Sequence, residues 1–161
     1  MVRGTLRHRR AAVALETAIV LPVFLVLLLA LIVGGIGVFR YQQVACLARE
    51  GARWGSVRGS LWAIDSGQTA PTQEDILKNA VLPFAVGMET AQITMQAEWI
   101  DGMTGAVTPW DSSRKSTLLL SAANDGVNNK IRITVNYAWS PGVLVPGTVN
   151  MTSVSEMVIS N

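Results

Sequence analysis

Few residues in this chain have the types and spacing that chemistry needs. Glu16 is the sharpest case. It follows Ala11-Ala12-Val13-Ala14-Leu15, just inside an apolar stretch, with Pro22 six positions further on. A charge at a bilayer centre costs about 3 kcal/mol on insertion scales, and less near an end, so this carboxylate needs a partner. Two readings stay open: Glu16 reaches the interface or is neutralised by Arg9 or Arg10, or it pairs with a positive group from another chain. Catalysis has less to draw on. The one histidine, His8, lies in an Arg-rich tail, and none follows to activate a nucleophile. Glu98 and Asp101 could form an acid pair only as any two nearby acids could. Asp125-Gly126-Val127-Asn128 has too few oxygen ligands for a calcium loop. Gly34-Gly35-Ile36-Gly37 lacks the Lys of a phosphate loop. Trp99, Trp110 and Tyr137 read as core side chains before they read as a ligand platform. Cys46 is the sole cysteine, which excludes an internal disulfide and a Cys-cluster metal site but leaves an intermolecular bridge open. The expectation is a protein without enzymatic activity, cofactor, metal or small-molecule substrate.

The element that must position Glu16 is easily found. Half of the 161 residues are hydrophobic and only 15% are charged, too apolar for an ordinary soluble domain unless the excess is concentrated. It is concentrated between Val13 and Phe39. From Thr17 to Phe39 no residue is charged, and 23 residues of helix span roughly 30 Å of hydrocarbon. A cleavable secretory signal has a shorter apolar core. A lipoprotein site at Cys46 meets polar Gln43 where an apolar residue belongs.

Charge orients the helix. Arg3, Arg7, Arg9 and Arg10 precede it, which keeps the N-terminus cytoplasmic and places the remainder outside. The isoelectric point near 9.0 comes from that tail. Residues 41–161 carry eight basic and ten acidic side chains, a net charge of −2, so no nucleic-acid surface is indicated. Within the run, Pro22 removes one backbone hydrogen bond, and Ala30 with Gly34 forms a small-x-x-x-small pair suited to close helix contact.

Beyond Phe39 the helix is expected to continue to about Trp54 as a stem. Ala45, Ala48, Ala52 and Gly55 form a small-residue face, suited to packing on the chain's own head or on another subunit. Residues 55–71 read as loop. Thr72 is an expected N-cap with acids in the first turn, and Ile76, Leu77, Val81 and Leu82 supply an apolar stripe. Alternation then predicts strands over Ile93–Trp99 and Ile131–Trp139, with a weaker one from about Thr148 to Ile159. Residues 101–115 read as a polar connection, Leu118-Leu119-Leu120 as a short strand or helical turn, and Asp125-Gly126 with Asn128-Asn129 as a turn. The expected fold is α+β: a long transmembrane helix continuing into a stem packed on a small antiparallel sheet, a pilin-like design. Its parts are a basic leader over 1–11, the transmembrane helix over 12–39, a stem over 40–56 and a head over 57–161.

The run Arg9-Arg10-Ala11-Ala12-Val13-Ala14-Leu15-Glu16-Thr17-Ala18-Ile19-Val20-Leu21-Pro22 resembles the N-terminus of TadE-like proteins. These are pseudopilins or minor pilins of the tight-adherence (Flp pilus) apparatus. Ala48-Arg49-Glu50-Gly51-Ala52-Arg53 is similar to the family's segment just outside the membrane. The resemblance implies a structural role in pilus assembly, secretion and cell adhesion, with other pilin subunits and the assembly machinery as partners. It also implies a prepilin peptidase cutting between Ala11 and Ala12, with Ala11 where the usual pattern has Gly and Thr17 where it often has an aromatic. Glu16 would then be fifth in the mature chain, set to neutralise the α-amino group of a neighbour and fix axial register. A single-pass anchor presenting a binding or scaffolding head is the alternative.

Overall fold

The computed structural model describes residues 3–112, 128–142 and 147–160. The chain divides into two compact units, Met1–Phe39 and Arg40–Asn161. Helix α1 (Arg3–Ser56) runs through both and includes Pro22. In the first unit its apolar side chains from Val13 to Phe39 lie almost wholly exposed. An apolar helix that buries nothing within its own unit needs lipid or other chains around it.

In the second unit α1 has a buried face. Val44, Leu47, Ala48 and Ala52 are fully buried in the core, while Arg49 and Arg53 face solvent. The small residues let backbone and sheet approach closely. A Cβ on Gly51 would lie 3.2 Å from Ile133 Cγ2 and Val81 Cγ2, and one on Gly55 would collide with Ile131 Cδ1. Of the two roles open to the small-residue face, packing on the chain's own head is the one adopted.

The head is a four-stranded antiparallel sheet in the order β2-β1-β3-β4. The strands are β1 (Ile93–Ile100), β2 (Val107–Pro109), β3 (Lys130–Trp139) and β4 (Val149–Val158). The α+β fold and the three long strands match expectation. Register follows side-chain alternation. Along the inner row Ile133 pairs with Ala97 and Ser155, and Val135 with Met95 and Ser153. Along the outer row Arg132 lies between Glu98 and Glu156, and Asn136 between Thr94 and Thr152.

Two expectations need correction. Residues 55–71 are not all loop, because α2 (Ser60–Ser66) forms and ends at Gly67 in the left-handed region, φ 67°. Seven residues with none buried leave no apolar period to read. The connection after Asp101 also holds a strand, β2. The Asp101 carboxylate accepts from Met103 N at 2.9 Å and Thr104 N at 2.8 Å, and Asp101 N donates to Ala106 O. That turn brings Thr108 opposite Trp99. Three residues are too few to show alternation, and Pro109 is tolerated at a sheet edge. The expectations for Leu118-Leu119-Leu120 and Asp125-Gly126 fall outside the described residues.

Between stem and sheet, Thr72 caps α3 (Gln73–Ile76) in a reciprocal box with Asp75, as its sequence predicts. A π-helical turn follows at Leu77–Val81 and a 3-10 turn at Leu82–Phe84. The wider π turn keeps Ile76, Ala80 and Val81 together in the core. A tight turn then joins Ala85 O to Met88 N, with Gly87 at φ 67°.

Candidate functional site

The residues singled out on the apolar helix all lie in the first unit, in α1. Ala11 and Ala12 both have helical backbone. Glu16 borders a shallow groove lined by Val13, Thr17, Val20, Leu21 and Phe24, one face of the helix at three- and four-residue steps. Thr17 donates its hydroxyl to Val13 O at 2.8 Å, returning its polarity to the backbone. The Glu16 carboxylate has no comparable outlet: among the described residues it makes no hydrogen bond or ion pair. Neutralisation by Arg9 or Arg10 concerns side chains outside those described.

Pro22 follows Glu16 by six residues, roughly 9 Å along the axis. It has no N–H to give to the carbonyl of Ala18, so that i to i−4 hydrogen bond is missing from the helix. Further on, an added Cβ at Gly34 or Gly35 meets nothing within 4 Å. The Ala30/Gly34 face is therefore open to close approach. The structure places Glu16, Pro22, Ala30 and Gly34 along one exposed helix and does not bring them together at one point. The arrangement is an exposed apolar helix surface that carries one carboxylate near its N-terminal end.

The other candidates have structural roles. Glu98 and Asp101 do not form an acid pair. Glu98 faces Arg132 at 3.5 Å, and Arg132 is clasped more closely by Glu156 at 2.6 Å. The Arg132 guanidinium is held still further into its charged range, first by its hydrogen bond to Glu156. Asp101 serves its turn, and the amide donors of Thr104 and Met103 hold its carboxyl below the usual range. Trp110 is fully buried and donates Nε1–H to Pro71 O at 2.9 Å. Tyr137 lines the core, and Trp99 packs partly buried against it. Cys46 is exposed on the stem. Among the described residues no group of acids, His and Cys could hold a metal.

One cluster was missed in the sequence. Arg58 stacks over Trp54 at 4.2 Å and near Trp62 at 5.9 Å, beside an open cleft of about 660 Å3 that also includes Gln68 and Asn79. The aromatic-cation-aromatic spacing of four residues was the available signal, hidden because the stretch read as loop.

Residues 11–53 match the family model for TadE-like protein, a pilus-associated and structural family. The match covers Glu16, Pro22, Ala30, Gly34 and the stem as far as Arg53. No curated protein and no solved structure matches the chain.

Proposed function

We propose, on the premise of the TadE-like segment over residues 11–53, that this protein is a minor pilin or pseudopilin of a tight-adherence pilus. One observation carries the reading: Glu16, the one carboxylate in the apolar part of the matched segment, makes no hydrogen bond or ion pair among the described residues and stands among exposed apolar side chains. In lipid such an acid is expensive, and a cationic group from a neighbouring chain offsets that cost.

The Arg-rich leader holds the N-terminus in the cytoplasm, and the head stands outside the membrane. A prepilin peptidase cuts between Ala11 and Ala12. Because both residues are helical, that turn must open for the enzyme to act. The new α-amino group of Ala12 stands about 6 Å of helix from Glu16. Glu16 of one subunit neutralises this amine on the next, and the Ala30/Gly34 face packs the helices. The head then contributes to the assembled pilus and to surface attachment.

The decisive experiment is N-terminal sequencing of the protein recovered from its native membrane. A chain beginning at Ala12 is expected. An intact Arg-rich leader in pilus-assembling cells would overturn the processing step and favour the plain anchor.

A further inference from the structure

The turn between Ala85 and Met88 has a glycine where its positive φ calls for one, but its other three residues are apolar. Surface turns are usually built from Gly, Pro, Asn, Asp and Ser. Here Ala85 and Met88 are buried at its base, while Val86 at its tip is 73% exposed and Phe84 beside it 52% exposed. Ala85 O and Met88 N close the turn at 3.1 Å, and the positive φ of Gly87 completes it, with the apolar tip turned outward.

Its position is fixed by the start of the stem. Val86 O accepts from Gln43 Nε2 at 3.1 Å and from Arg40 Nη1 at 3.4 Å. Arg40 in turn donates to Gln43 Oε1 at 2.7 Å, and a Cβ at Gly87 would lie 3.6 Å from its guanidinium. Arg40 is the first charged residue after the uncharged run from Thr17 to Phe39. The turn is therefore tied to the residues that leave the hydrocarbon. Tyr41, 51% exposed, adds an aromatic ring of the kind that collects at headgroup level. Arg40 makes no ion pair among the described residues, which leaves its charge for a phosphate group.

We infer that the Phe84–Val86 tip is an interfacial anchor that inserts into the outer leaflet and fixes the head against the lipid surface. Its occupant is the bilayer interface: the apolar tip enters the headgroup and acyl boundary while Arg40 meets the phosphates. The inference rests on the membrane-spanning reading of α1, and the test separates the two.

Nitroxide labels at Val86→Cys, Val154→Cys and Val26→Cys, each in a Cys46→Ser background, report depth. The full-length protein is reconstituted in phosphatidylethanolamine and phosphatidylglycerol vesicles, and collision rates with oxygen and with a neutral nickel chelate are compared. The expected oxygen-to-nickel ratio at position 86 is severalfold that at 154 on the outer sheet face, and below that at 26. A ratio at 86 equal to that at 154, with 26 still lipid-buried, overturns the anchor alone. Protection of position 86 from both reagents overturns it too, because protein then covers the tip. A water-like ratio at 26 removes the membrane span itself and the anchor with it.

Discussion

Glu16 and Gly55 illustrate two ways in which a single residue limits what this protein can do. Glu16→Gln retains shape and polarity but removes the charge. If the proposed pilin role holds, it is expected to leave membrane insertion unchanged and to abolish co-purification with pilus subunits; normal co-purification would remove the register role. Gly55→Ala acts within the head, where the new methyl runs into Ile131 Cδ1. Overpacking of this kind costs roughly 1–3 kcal/mol. Thermal unfolding of the detergent-solubilised protein should register the loss, and Ile131→Val, which removes that Cδ1, should recover part of it. Asp101 adds a pH dependence. Its folded-state pKa lies below the unfolded value because the turn amides of Thr104 and Met103 stabilise the carboxylate. Its contribution is full above the ordinary carboxylate range, about pH 4, and is lost as pH falls through the lowered value. Asp101→Asn should therefore flatten the acid limb of a melting-temperature profile.

Elements differ in how openly their sequences announce them. The cap of α3 is local: Thr72 N donates to Asp75 Oδ2 at 2.8 Å, and Thr72 Oγ1 accepts from Asp75 N at 3.2 Å. Thr72→Ala should cost about 1 kcal/mol in unfolding free energy, as N-cap removals do. Gln73 extends the cap to the sheet, with its amide bonded to Asp111 Oδ1 and its side chain accepting from Ala97 N. Strands β1 and β3 were legible because each buries alternate residues on one face. α2 and β2 were not, since one buries nothing and the other spans three residues. Their places depend on the Arg58–Trp54–Trp62 stack and on the Asp101 turn.

For the whole molecule the governing feature is the separation of apolar surface from charge. Arg3, Arg7, Arg9 and Arg10 precede an uncharged run, and the residues beyond it are mildly acidic. Replacing Arg7, Arg9 and Arg10 with Glu should weaken the orientation signal and leave a fraction of chains inverted. Protease protection in spheroplasts reads this directly: the head becomes resistant in that fraction. An unchanged digestion pattern would mean that something other than leader charge sets the topology.

The long apolar helix, its lone acid, the capped start at Thr72 and the two alternating strands followed from the sequence alone. Each is local, because burial against lipid or on one side of a sheet leaves a repeating imprint on neighbouring residues. The TadE-like resemblance was equally local, confined to the first third of the chain. Only the tertiary structure decided that Gly51 and Gly55 lie against β3, that Glu98 belongs to Arg132, and that an apolar turn is tied to Arg40. These facts join residues dozens of positions apart. No period along the chain records such a meeting, because packing and hydrogen bonding select it only once the sheet and stem come together.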